Sequence, residues 1–133
     1  MARFALMITA HPFSCQGQYS ALRFAQSLLA QGHQLESVFF SGSGVLIGSK
    51  TLCPPADELD LRAQWQQLAT THKVELNLCS SAALKHGILD SSEAVRQQLP
   101  VTLASSFLIA GLGCWVEATL SADRCVHFPG ASL

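Results

Sequence analysis

Apolar positions along this chain follow two rhythms, short unbroken runs of strand length and longer stretches at helical spacing. Arg3–Thr9 (RFALMIT), Gln34–Phe40 (QLESVFF) and Val74–Cys79 are runs of the first kind, as are the briefer Phe107–Ala110 and Arg124–Phe128. Over Gln18–Gln31 the residues Ala21, Leu22, Ala25, Leu28 and Leu29 recur at helical spacing, and Gly32 supplies a left-handed stop. Asp57 or a neighbour is expected to cap a helix whose core stripe is Leu61, Trp65 and Leu68. A helix over Ser80–His86 with Gly87 as its C-cap follows the third run. A short polar helix spans Ser91–Gln98, and Leu112–Ser121 reads as the last helix.

Strands that alternate with helical crossovers lie parallel. The predicted fold is therefore α/β: a doubly wound, mostly parallel five-stranded sheet flanked by helices, of flavodoxin-like architecture. Ser41–Pro55 reads as a long Gly/Ser-rich loop with the apolar residues Val45, Leu46 and Ile47 inside it. An apolar loop of this length is expected to shield a site or to dock a partner. No internal repeat or low-complexity segment interrupts the pattern.

A length of 133 residues fits one domain, spanning 1–133, with a core of its own. Apolar residues make up 49% and charged residues 13%, so a face buried against partner subunits or a large internal sheet is expected. The net charge of −1 comes with no basic run, and no electrostatic footprint for direct nucleic-acid binding is present. The opening apolar run is too short for a signal peptide, and Pro100, Gly111 and Gly113 interrupt the uncharged Leu99–Val116 stretch. A cytoplasmic protein without a membrane span is expected.

The chemistry concentrates at Val74–Gly87, where a buried-strand pattern runs into Cys79 and at once becomes a helix. That arrangement sets a thiol at the C-terminal end of a strand, the edge at which open α/β sheets do chemistry. Backbone N–H groups from Ser80 onward face it and favour thiolate over thiol. The competing reading is a packed and inert cysteine, since free Cys is among the most buried residue types. Five cysteines without a C-x-x-C pair fit neither a disulfide framework nor a zinc site, and the five histidines do not cluster at ligand spacing. Neither metal nor cofactor is expected.

Cys114 and Cys125 read as core filling, Cys53 as exposed, and Cys15 as incidental. His86 follows Cys79 by two helical turns, about 10 Å along an axis, too far to serve as its base. The A-H-P-x-S stretch after the first strand (Ala10, His11, Pro12 and Ser14) is similar to the opening of flavodoxin-like quinone reductases. This leaves a flavin-binding oxidoreductase through His11–Gly17 as an alternative to a loop with a solvent-facing His.

Longer stretches carry a more specific resemblance. FAQSLLAQGHQLESVFF (Phe24–Phe40), Gly44-Val45, DELDLRAQWQQL (Asp57–Leu68), LNLCSSAALKHGILD (Leu76–Asp90) and GLGCWVEATLSADRCVHF (Gly111–Phe128) resemble the DsrE/DsrF-like sulfurtransferases, in order and over nearly the whole chain. The resemblance implies a sulfur-relay subunit in which Cys79 is the catalytic residue, taking sulfur as a persulfide and passing it on. It implies a heterohexamer with TusB- and TusC-like subunits, a TusA-like sulfur donor, a TusE-like acceptor, and service to 2-thiouridine formation at the tRNA wobble position. A DsrE-type role in sulfur oxidation and a non-catalytic structural subunit are the alternatives within the family. His11, Pro12, Cys15, Cys53, Cys114 and Cys125 lie outside the matching pattern and receive no role from it. A thiolate attacks sulfur directly, so a lone activated cysteine without base, metal or resolving partner suffices for such a relay.

Overall fold

A computed structural model describes residues 1–130 of the chain. Its strands are β1 (Arg3–Ile8), β2 (Gln34–Phe40), β3 (Glu75–Cys79), β4 (Phe107–Ala110) and β5 (Arg124–Phe128). They form one sheet in the order β4-β3-β2-β1-β5, with every neighbouring pair parallel. The helices are α1 (Gly17–Ala30), α2 (Leu61–His72), α3 (Ser80–Lys85), α4 (Ser91–Gln97) and α5 (Leu112–Ser121). Boundaries expected from the hydrophobic pattern hold to within a residue. No helix among the described residues is long and apolar enough to cross a membrane.

Strand alternation separates the two faces of the sheet. On β2, Phe40 meets Trp65 of α2 edge-on at 5.4 Å between ring centroids, whereas its neighbour Phe39 meets Trp115 of α5 at 6.1 Å. The α1/α2 side holds the main core. Leu6, Ile8, Val38, Phe40, Leu76 and Leu78 point into it from the strands and meet Leu22, Trp65 and Leu68 from the helices. Three steps in one direction, β1 to β4, keep their right-handed crossovers on that side, and the return from β4 to β5 carries α5 to the other.

The second side is thinly covered. No residue of α5 is buried, and Leu112, Val116 and Leu120 stand exposed four residues apart along it. This corrects the expectation for two cysteines: Cys114 on α5 is only half-buried and Cys125 on β5 is exposed, so neither fills the core. Cys114 lies on a helix whose Leu112, Val116 and Leu120 face outward, and Cys125 alternates with Val126 and Phe128, which pack against the core, so it points away from that core.

The Ser41–Pro55 segment also differs from a loop with an outward apolar tip. Gly42–Gly48 forms a 3-10 segment, and Val45 and Ile47 are fully buried in the core. Two glycines allow this close approach. A Cβ on Gly44 would lie 2.7 Å from the Ile8 carbonyl oxygen, and one on Gly48 would collide with the Leu78 side chain. The first half of the segment is thus part of the packed interior, while Lys50, Thr51, Cys53 and Pro55 of the second half are exposed. Asp60, not Asp57, caps α2, its carboxylate accepting from the Ala63 N–H at 3.0 Å. Gly32 adopts φ +86° just beyond α1, the left-handed stop expected of it.

Candidate active site

The register of the sheet decides what surrounds Cys79. Phe40 pairs with Leu78 and Cys79 pairs with Ala110, so Ser41 is the next step along β2 beside the cysteine. The Ser41 N–H donates to the Ile8 carbonyl at 2.9 Å, which fixes the exit of β2 against β1. Below Cys79 on the same face, the buried Asn77 donates to the Ser37 hydroxyl at 2.9 Å. The thiol itself is half-buried, at the point where β3 ends and α3 begins.

Two hydroxyls and two backbone N–H groups surround it. The Ser81 Oγ lies 3.4 Å from Cys79 Sγ. Burial pushes the thiol up, but the Ser81 hydroxyl, the backbone N–H groups of Ala82 and Ser81, and the Ser41 hydroxyl outweigh it and hold Cys79 below the ordinary thiol value. Cys114 moves the other way, raised by burial and by the nearby carboxylates of Glu75 and Glu117. The two cysteines therefore separate with pH. Lowering a thiol's pKa raises its thiolate fraction at neutral pH, so Cys79 is expected to alkylate with iodoacetamide well before Cys114. Its rate should level off at a lower pH, as read by peptide-resolved mass spectrometry across a pH series. Equal rates, or labelling of Cys79 only after unfolding, would contradict this geometry.

The other sequence candidates lie elsewhere. The His11 Nδ1 accepts the backbone N–H groups of Phe13 at 3.0 Å and Ser14 at 3.2 Å, so this ring organises its own loop. Cys15 places its Sγ 3.7 Å from the His11 carbonyl. Cys15 and the exposed Cys53 line a cavity of about 920 Å³ with Phe13, Tyr19, Pro54 and Leu59, and Cys79 is not among its lining residues. His86 ends α3, its N–H bonded to the Ala82 and Ala83 carbonyls, and is exposed.

The chain's Pro129–Gly130 segment packs against the start of α1. A Cβ on Gly17 would lie 2.8 Å from the Pro129 carbonyl oxygen, and Gly130 lies beside Ala10 and the His11 N–H. Among the described residues, no group of three or more His, Cys, Asp or Glu side chains is placed to hold a metal ion.

The family model described as DsrE/DsrF-like matches residues 2–128. The chain belongs to the DsrE/DsrF-like family. Among curated relatives, the DsrE/DsrF-like chain is 46% identical over 129 residues to Sulfurtransferase TusD of Serratia proteamaculans, covering 96% of this chain and 100% of the relative. It is 47% identical over 127 residues to Sulfurtransferase TusD of Erwinia tasmaniensis, covering 95% and 99%. The ychN protein of E. coli shares the fold, with a TM-score of 0.77 at 22% identity over 96% of this chain and 100% of that one.

Sequence reasoning singled out Cys79 and the N–H groups following it but missed the two hydroxyls. Ser81, two residues on, carried a weak local signal in the Cys-Ser-Ser run. Ser41, 38 positions away, carried none, because only the β2–β3 register of the DsrE/DsrF-like sheet brings it alongside.

Proposed function

We propose that this chain is a sulfurtransferase subunit of a sulfur relay, with Cys79 as the residue that carries the sulfur. The observation that supports this reading most directly is a solvent-reachable thiol whose neighbours favour its charged form, in a chain similar end to end to proteins named Sulfurtransferase TusD. The chemistry asks for little more. The Cys79 thiolate attacks the outer sulfur of a donor persulfide, the donor's S–S bond breaks, and the donor departs as a thiolate, leaving Cys79 as the persulfide. An acceptor thiolate then attacks the outer sulfur, and Cys79 departs as thiolate in turn.

In this reading the donor is a TusA-like carrier and the acceptor a TusE-like protein. TusB- and TusC-like subunits complete a hetero-oligomer, and the sulfur ends in wobble 2-thiouridine of tRNA. The exposed apolar stripe of Leu112, Val116 and Leu120 supports partner subunits, since all-parallel sheets are otherwise covered on both faces. The net charge of −1 supports hand-off between proteins, with tRNA met downstream.

Intact and peptide mass spectrometry after incubation with a sulfur-loaded TusA-like donor tests the reading. A gain of one sulfur atom at Cys79 is expected. A gain at another cysteine, or none, overturns it.

A further inference from the structure

The donors around Cys79 are arranged on its inner sulfur, Sγ, and this has different consequences for the two halves of a relay. When Cys79 attacks, Sγ starts as a thiolate and loses its charge in the transition state, so donors to it raise the thiolate fraction while lowering intrinsic nucleophilicity. When Cys79 gives sulfur away, Sγ is the leaving group and gains charge in the transition state. The same donors then accelerate the step outright, because they bind the transition state more strongly than the ground state.

We propose that the Ser81 hydroxyl, 3.4 Å from Cys79 Sγ, acts chiefly in sulfur discharge, donating its proton in a hydrogen bond to Sγ as the S–S bond breaks. A thiolate has no proton to give, so in the charged state Ser81 is necessarily the donor of this pair. Ser81 is exposed, two residues into the turn that follows the thiol. Ser41 approaches from β2 and backs the thiolate from a second element. Ser81 supplies no proton to the product, as its O–H bond stays intact and the proton finally taken up by Cys79 comes from water.

This inference rests on Cys79 as the sulfur-carrying thiol, yet inorganic reagents test it without any protein donor or acceptor. Polysulfide charges Cys79: the thiolate attacks a sulfane sulfur, and a polysulfide shorter by one sulfur leaves. Cyanide discharges it: the cyanide carbon attacks the outer sulfur, the S–S electron pair goes to Sγ, and thiocyanate departs. Both steps are followed at the Cys79 peptide by mass spectrometry in the folded full chain, for wild type, Ser81→Ala and Ser81→Thr.

Ser81→Ala should slow cyanolysis about threefold or more, the loss of one ordinary hydrogen bond to the leaving sulfur. At a pH high enough to ionise Cys79 fully, its alkylation rate should be unchanged or slightly raised, because a more basic thiolate is the better nucleophile. Ser81→Thr should restore wild-type cyanolysis. A local distortion would depress both reactions together and would not be rescued by Thr, and that result overturns the assignment. So does cyanolysis unchanged in Ser81→Ala, or a wild-type Cys79 that holds no polysulfide-derived sulfur. Wild type that takes no sulfur from a TusA-like donor but shows the predicted split refutes the relay and leaves the role of Ser81 standing.

Discussion

Cys79→Ser is expected to remove sulfur uptake altogether while leaving the fold in place. The substitution exchanges one atom of a half-buried side chain and touches no backbone, and the hydroxyl finds the same donors that surround the thiol. A serine oxygen is neither ionised near neutral pH nor able to hold sulfane sulfur in exchange, so the loss is expected to be complete, not partial. Circular dichroism and the unfolding midpoint should match wild type within about 0.5 kcal/mol, as for substitutions outside the tightly packed core. The converse variant, with Cys15, Cys53, Cys114 and Cys125 all replaced by Ser, should still load one sulfur per folded chain. Uptake retained by Cys79→Ser, or lost in the fourfold variant while the fold persists, would show that the relay runs through another thiol.

Trp65→Ala is expected to produce the largest loss of stability of any single core substitution here. Trp65 is the largest fully buried side chain among the described residues and meets Phe40 edge-on at 5.4 Å. Truncating a buried tryptophan costs about 3–5 kcal/mol, against a total stability of roughly 5–15 kcal/mol for a domain of this kind. The unfolding midpoint in urea, followed by circular dichroism because Trp115 also fluoresces, should fall by about a fifth or more. Trp65→Phe separates packing from polarity. The Trp65 Nε1 has no hydrogen-bond partner among the described residues, so phenylalanine keeps most of the ring contact and removes an unsatisfied buried donor. Its cost should be well below that of alanine. Equal losses would mean that ring packing against Phe40 is not what stabilises this layer.

Strands and helices were legible because their apolar residues keep a period that packing enforces, as with Leu61, Trp65 and Leu68 along α2. Cys79 was legible for the same reason, since a strand pattern that stops at a thiol and turns helical has few placements in a parallel sheet. Three features were not. Val45 and Ile47 pack inward because Gly44 and Gly48 permit close backbone approach, a fact about distance that composition does not carry. Cys114 sits in an apolar helix and Cys125 in a short strand, but neither pattern says whether a given side chain faces the core of this chain or away from it. Ser41 reaches Cys79 only through strand register, which is a property of pairing and not of either segment alone.

The strand order has a consequence for how the chain is made. β1 is the second strand from one edge, and its outer partner is β5, so contacts such as Thr9 with His127 join residues 118 positions apart. During synthesis β1, β2 and β3 are all made before β5, so any sheet they form early leaves the outer side of β1 with unpaired N–H and C=O groups beside the apolar Phe4–Ile8 run. At ribosomal speed that edge stays open for on the order of ten seconds before Arg124–Phe128 has been made. An open edge of this kind templates pairing between nascent chains, and truncation ahead of Arg124 leaves it open for good. Chains cut there should collect in the insoluble fraction even though every residue around Cys79 is present.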